Sequence, residues 1–167
     1  MSPQARPLVS AGTVLGMGLG GFFDGIVFHQ LLQIHGMLSA RVPKSTIANL
    51  EINMFWDGVF HAATWLLTVL GVVMLFRVGE RRDVWWSRRV LTGSLAMGWG
   101  IFNLVEGAID HHLLELHHVV ERIGSSAWDW AFLGSGVALI GFGWTRIRSG
   151  DARAAATGPL RHAPAHR

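Results

Sequence analysis

The sequence contains no cysteine and no tyrosine, and it has few charged residues. Without cysteine there can be no disulfide, no thiolate metal ligand, no iron–sulfur cluster and no covalently attached c-type haem. Only 15% of the 167 residues are charged, whereas 50% are hydrophobic and the mean hydropathy is +0.36. This balance excludes an ordinary soluble domain and predicts an integral membrane protein.

The apolar residues form four runs that are separated by polar links. The basic residues stand beside these runs and not on a polar face interleaved with aromatics, so the net charge of +3 does not indicate nucleic-acid binding. We therefore predict an all-α fold, an integral membrane four-helix bundle in one domain of residues 1–150. The predicted spans are about 10–38, 52–78, 90–118 and 128–147. Residues 151–167 lack apolar periodicity and are predicted to be a disordered cytoplasmic tail.

The distribution of lysine and arginine predicts the orientation. Of the 14 basic residues, Arg41, Lys44 and Arg122 lie in the first and third links, and the other 11 (14 minus 3) lie near the termini and the second link. Basic residues concentrate on the cytoplasmic side of a membrane protein. We therefore predict that both termini are cytoplasmic and that the chain is a multi-pass protein of a bacterial inner membrane.

Residues 102–118 carry the densest group of ionisable side chains, at the end of the third predicted span. They include Glu106, Asp110, Glu115 and four histidines. Such groups are costly in a membrane helix unless they face a protein interior, a water-filled cavity or a metal, so the stretch indicates a functional site. The first and second spans contribute further acids and histidines at a similar depth. Together they predict a polar funnel in the outer half of the bundle, open outward.

Helical phase selects the candidate metal ligands. Asp57 and His61 are four residues apart and share one helix face, and Glu106, Asp110 and His117 share one stripe of the third helix. His61 and Asp110 are the strongest candidates. His112 is predicted to point away from the site, and Asp129 to cap the fourth helix. The predicted ligands are Asp24, His29, His35, Asp57, His61, Glu106, Asp110 and His117, with Gln33, Asn53, Asn103 and His111 expected behind them.

Several kinds of site contain imidazole and carboxylate groups. Such ligands suit non-haem iron, zinc, manganese or copper, and a metal centre of this type would serve a redox enzyme or a hydrolase. One alternative is a b-type haem protein with His29 and His61 as axial ligands. Another is a metal- or proton-handling factor in which the groups form a relay. The last is structural polar packing between helices without a cofactor.

The sequence also contains a short internal similarity. Phe22-Phe23-Asp24-Gly25 resembles Phe55-Trp56-Asp57-Gly58, and Trp128-Asp129 repeats the step from an aromatic residue to an acid. The residues that flank these short copies do not match, so they do not by themselves establish a duplication.

Four sequence blocks together carry a resemblance to a known family. They are GGFFDGIVFHQLLQIH, FWDGVFH, FNLVEGAIDHHLLELHH and WDWAFL. Between Gly16 and Gly143 the chain resembles a bacterial predicted-membrane-protein family, domain of unknown function 2243. The resemblance implies four spans, motifs rich in His, Asp and Glu, and a link to the assembly of respiratory oxidases, hence to copper or haem. The expected partners are the lipid bilayer, a second copy of the chain and respiratory-chain assembly proteins.

Overall fold

The computed structural model describes residues 1–157, and these residues form four long helices without any strand. The helices are α1 (Arg6–Phe23), α2 (Ile47–Glu80), α3 (Arg88–Glu106) and α4 (Ala127–Thr157). α1 continues directly into a π-helical segment, Asp24–Leu31, and α3 into another, Gly107–Leu113. A single 3-10 turn, Glu121–Ile123, precedes α4. The all-α fold that the composition predicts is confirmed.

The first and third helices end earlier than the apolar runs predicted. The π segments end at Leu31 and Leu113, whereas the runs extend to 38 and 118. Shortly after each segment one residue has a positive φ, Gln33 at 52° and Glu115 at 47°. A left-handed residue reverses the chain and cannot continue a right-handed helix. Both apolar runs therefore finish in a loop that turns back toward the protein.

The fourth helix ends later than predicted. α4 includes residues 151–157, which the composition assigned to the tail. Asp151 anchors this last part of the helix, because its carboxylate accepts hydrogen bonds from the backbone N–H and the hydroxyl of Ser2. Three consecutive alanines in the last turns also favour helix. The rest of the predicted tail, residues 158–167, lies outside the described residues.

The main helix contacts place the four helices in the order α2, α1, α3, α4. α1 packs against both α2 and α3, and α3 packs against α4. Glycines make the α1–α3 crossing close: a Cβ on Gly16 would collide with the backbone of Leu95, and one on Gly98 with the backbone of Thr13. Small residues allow membrane helices to approach at backbone distance.

Two helices among the described residues are long and apolar enough to cross a bilayer. They are α1 with its π segment, over Arg6–Leu31, and α2, over Ile47–Glu80. Most of α2 is uncovered by the rest of the chain, and its exposed side chains are large and apolar. A soluble monomer rarely exposes so large an apolar surface, and lipid would cover it. Among these side chains are Phe55, Trp65, Leu66, Val72 and Phe76.

The two halves of the chain repeat one arrangement. In each half a glycine-rich helix passes into a π segment, a loop and a second long helix. The contacts are reciprocal: Leu95 and Gly98 lie 82 positions after Thr13 and Gly16 (95 minus 13, 98 minus 16), and Gly16 meets Leu95 as Gly98 meets Thr13. Residues 82 apart thus exchange roles across α1 and α3, as a pseudo-two-fold axis between these helices requires.

This reciprocity gives a test of the fold. Gly16→Val and Gly98→Val should each lower the thermal unfolding midpoint in detergent, because the added side chain meets the partner backbone. Overpacking of this kind costs about 1–3 kcal/mol. Gly141→Val is the control, since nothing lies within 4 Å of a Cβ there. Equal midpoints for all three variants would contradict the close crossing.

Candidate metal centre

Six buried ionisable side chains meet where the two π segments and the loops that follow them come together. None of the six is more than 5% exposed. Each half supplies one carboxylate and two histidines, at the end of the molecule opposite to the N-terminus. These residues, called here the six-residue cluster, are Asp24, His29 and His35 from the first half and Glu106, His111 and His117 from the second.

The π segments bring the first histidine of each half onto its carboxylate. Residues five apart in an α-helix point about 140° apart, since each residue adds about 100°. A π-helix has more residues per turn, so positions i and i+5 come close together. His29 Nε2 thus lies 3.1 Å from Asp24 Oδ2, and His111 Nε2 lies 3.3 Å from Glu106 Oε1.

The loops bring in the second histidine of each half, and each loop is fixed by the other half. His35 Nδ1 lies 3.0 Å from the carbonyl oxygen of Val119, and His117 Nδ1 lies 3.2 Å from that of Met37. Met37 and Val119 are themselves 82 positions apart (119 minus 37). The rings of His35 and His117 stack with centroids 4.7 Å apart. The cluster therefore forms only when both halves pack together.

Two further carboxylates hold the π-segment histidines from outside. Asp57 Oδ1, in the third turn of α2, lies 2.9 Å from His29 Nδ1. Asp129 Oδ1, at the start of α4, lies 3.3 Å from His111 Nδ1. Each also holds the loop of its own half: Asp57 accepts from the N–H of Met37 at 2.8 Å, and Asp129 from that of Val119 at 2.9 Å. The hydrogen bond with Asp57 fixes which ring nitrogen of His29 carries the proton.

The Nδ1 atoms of His29, His35 and His117 thus bond to acceptors, and that of His111 lies 3.3 Å from Asp129 Oδ1 without a hydrogen bond. This leaves the Nε2 lone pairs directed inward. His117 Nε2 lies 2.9 Å from Glu106 Oε1, and both atoms are acceptors when the imidazole is neutral. His35 Nε2, Asp24 Oδ2 and Glu106 Oε2 are buried without a hydrogen-bond partner. Buried acceptors that face one another need a proton or a cation between them. The arrangement is that of a ligand set for a cation.

The distances between these atoms match those around a metal ion. Ligand atoms about 2.1 Å from a metal lie about 3.0 Å apart at right angles and about 4.2 Å apart when opposite. The carboxylate–imidazole distances within the two halves are 3.1 and 4.0 Å, and 3.3 and 2.9 Å. Two overlapping groups have ligand atoms within 4.8 Å of one another, His29 with His35 and His117, and Glu106 with His111 and His117.

The two loop histidines differ in their affinity for a proton. Burial lowers the pKa of His35. Burial also acts to lower the pKa of His117, but the hydrogen bond with Glu106 outweighs it, and the pKa is raised. His35 is therefore held in the neutral form that binds a metal, whereas a cation would displace a proton from His117.

Five of the eight predicted ligands lie in the six-residue cluster, and Asp57 lies directly behind His29. His61 and Asp110, the strongest candidates from the sequence, lie in neither metal-ligand group. The prediction assumed α-helical phase throughout the third helix. The π segment changes that phase after Glu106, which turns Asp110 to the half-buried flank and His111 inward. His61 instead bonds along its own helix, Nδ1 to the carbonyl oxygen of Asp57 at 2.7 Å.

The other predicted residues have supporting positions. Asn53 accepts from the N–H of Leu38 and so fixes the first loop, and Asn103 donates to the Ser135 hydroxyl at 2.9 Å. Gln33 is exposed at the chain reversal. His112 packs on Trp130, with ring centroids 4.6 Å apart, outside both metal-ligand groups. Asp129 accepts from the N–H of Ser126 at the start of α4, as a cap does, besides holding His111.

One signal in the sequence could have found the cluster. In both halves the acid is followed after five residues by the first histidine and after eleven by the second. The short similarity between 22–25 and 55–58 aligned helices that are not equivalent. The true repeat relates Asp24 to Glu106, with a glycine after each acid, and relates Asp57 to Asp129.

Fold and site together define a helical membrane protein with a buried cluster of histidines and carboxylates. The chain belongs to the family described as "Predicted membrane protein (DUF2243)", whose model matches residues 11–150. The match includes both halves and all six cluster residues, and it confirms the resemblance seen in the sequence motifs. A protein of this family sits in a lipid bilayer. No curated protein and no solved structure is significantly similar to the chain.

The two outer carboxylates generate a test that does not depend on any metal. Asp57→Ala and Asp129→Ala should each lower the free energy of unfolding, because buried N–H groups lose their acceptor. Such a loss costs about 1–3 kcal/mol. Asp83→Ala is the control, since Asp83 pairs with Arg81 at an exposed site, where an ion pair contributes little. Thermal unfolding in detergent measures the effect, and a smaller loss in both buried variants than in Asp83→Ala would refute it.

Proposed function

We propose that the chain is an integral membrane metalloprotein whose six-residue cluster binds two transition-metal ions, one for each half. One observation carries this proposal. The same set of one carboxylate and two histidines occurs twice with identical spacing, and the Nδ1 atoms of three of the four histidines bond to acceptors outside the cluster. Outer-shell bonds of this kind are what orient metal-bound histidines.

The ligand set indicates which metals and reactions to expect. Two histidines and one carboxylate leave coordination positions open, as in non-haem Fe(II) oxygenases, and imidazole with carboxylate also suits manganese, zinc or copper(II). Paired metal ions can hold and activate a water or another small ligand between them. A metal-dependent redox enzyme or hydrolase is the activity that such a centre supports.

The same geometry disfavours both structural packing without a cofactor and a haem site. Structural packing alone would leave His35 Nε2 and Glu106 Oε2 buried and unpaired. A haem would need a flat space between its axial histidines. The centroids of neighbouring cluster rings are only 4.6 to 4.8 Å apart, and His29 is additionally stacked on Phe60. His61, its proposed axial partner, is bonded to the backbone of its own helix.

We also propose that all four helices cross the inner membrane as a bundle, with both termini cytoplasmic. α3 and α4 repeat the arrangement of α1 and α2, which are the two candidate spans. The basic residues of the links support the orientation. Only Arg41, Lys44 and Arg122 lie at the cluster end of the described residues, so the positive-inside rule turns that end outward.

The orientation predicts the result of a reporter fusion. Alkaline phosphatase, which is active only outside the cytoplasm, should be inactive when fused after Thr157 and active when inserted at Gly124 in the third link. The charge asymmetry is the physical reason, and reporter activity normalised to expression is the measurement. Activity at Thr157 together with inactivity at Gly124 would invert the topology.

The two-metal proposal predicts metal counts. Protein stripped with chelator and reloaded with Fe(II) should bind about two ions per chain, measured by elemental analysis against protein concentration. Asp24→Asn and Glu106→Gln should each retain about one, because each removes a charged ligand from one half and leaves the other half intact. His112→Ala is the control and should retain two, since its ring packs on Trp130.

The outcomes separate the alternatives. If the wild-type chain binds no Fe(II), Zn(II) or Mn(II), the metal proposal is wrong. If it binds one ion, and both single variants lose it, the six residues form one shared site and the two-metal assignment is wrong. A magnetic coupling between two Fe ions in the wild-type protein, lost in both variants, would support two adjacent ions independently of the counts.

A further inference from the structure

A cavity of about 170 Å³ lies beside the cluster, between α1, α3 and α4. Its walls are mainly aromatic, and its one ionisable lining residue is Asp24, a member of the six-residue cluster. Phe23, which is 45% exposed, stands where the cavity meets the outer face of the helices. The lining residues are Gly20, Phe23, Asp24, Phe28, Trp99, Asn103, Phe132 and Ser135.

The lining fits a small apolar molecule. Asn103 donates to the Ser135 hydroxyl, and Ser135 donates to the carbonyl oxygen of Phe132, so these groups already have partners. An engineered apolar cavity of about 150 Å³ in another protein stays dry and binds benzene or xenon. A space of this size is below the about 300–1,000 Å³ of sites for drug-sized ligands. The space therefore suits a small apolar molecule better than a drug-sized ligand.

The corresponding place in the second half holds a large side chain, which shows what opens the cavity. The counterpart of Gly20, 82 positions later, is Phe102. The Phe102 ring lies 6.1 Å from that of Phe60, in the second half's equivalent of the cavity. The counterpart of the aromatic wall residue Phe28 is Asp110. The two halves share their ligands and differ in the residues beside them, as expected when one metal faces a substrate route.

We propose that this cavity admits a small apolar molecule of the size of dioxygen from the hydrocarbon of the bilayer and delivers it to the metal held by the first half. Phe23 and Trp99, whose rings pack with centroids 5.1 Å apart, line the cavity together with Asp24, at which the route ends. Asp24 is itself a proposed metal ligand, and its Oδ2 lies 3.1 Å from His29 Nε2. The cavity therefore ends at the metal position. This inference rests on the proposed metal centre for its purpose, but not for the existence of the binding site.

The first experiment tests binding without any metal. Crystals of the metal-free protein under xenon pressure should show one xenon atom in the cavity. A Cβ on Gly20 would meet Trp99 at 3.0 Å, so Gly20→Leu fills the space and should abolish the xenon site. Gly134→Leu on α4 is the matched control, because nothing lies within 4 Å of a Cβ there, and it should retain the site. No xenon in the wild-type cavity overturns the proposal.

The second experiment tests delivery to the metal. Nitric oxide should bind Fe(II)-loaded protein at least tenfold more slowly in Gly20→Leu than in Gly134→Leu, with equal iron content. Phe23→Ala should bind it faster than the wild type, because Phe23 narrows the mouth. Because the Phe23 side chain is 45% exposed, its removal should leave the fold intact. This variant therefore tests the delivery route if Gly20→Leu does not fold. Unchanged rates overturn the delivery route. If the protein binds xenon in the cavity but binds no iron, the binding site is supported and the proposed metal centre is wrong.

Discussion

Two buried carboxylates face four buried histidines, and the rest of the structure is arranged around that constraint. Asp24 and Glu106 are at most 5% exposed. A buried charge costs several kcal/mol unless it is paired and hydrogen-bonded. Four histidines face these carboxylates, and hydrogen bonds from the Nδ1 atoms of His29, His35 and His117 to acceptors outside the cluster fix their positions. A metal completes the same arrangement, since it supplies positive charge where the acceptors converge.

The repeated architecture explains how so short a chain assembles six ligands. Each half contributes a carboxylate and two histidines, but neither half can hold its loop histidine alone, because the acceptor for His35 is Val119 and that for His117 is Met37. The glycines of α1 and α3 bring the backbones into contact and thereby set the distance between the two ligand sets. Helix packing and ligand geometry are therefore coupled, and a change at the crossing reaches the cluster.

Much of the fold and of the cluster could be predicted from sequence, and the remaining differences between prediction and structure have physical reasons. Composition predicts the all-α membrane protein, and depth along the spans gathers Asp24, His29, His35, Glu106 and His117. The sequence placed Asp110 among the ligands and His111 behind them, whereas the π segment turns His111 toward the cluster and Asp110 to its flank. A π segment leaves no clear mark in composition.

The predicted ends of the first and third helices also differ from those in the structure. Two apolar runs continue past the residues with positive φ, so hydropathy alone extends the helices into loops. The repeat was visible in the spacing of acid and histidine, but matching short aromatic blocks aligned α1 with α2 and concealed it.

The differences between the halves carry information that their similarity does not. Gly20 occupies in the first half the position that Phe102 occupies in the second. A glycine there leaves an empty space, which loses van der Waals contacts and lowers stability, and a site that only held metal would gain nothing from it. The first half has such a space beside its carboxylate, and in the second half Phe102 takes up the corresponding place. The pseudo-two-fold axis therefore relates two equivalent ligand sets but two unequal surroundings. A cavity that costs stability at one carboxylate and is filled at its counterpart is best explained by a ligand that enters there.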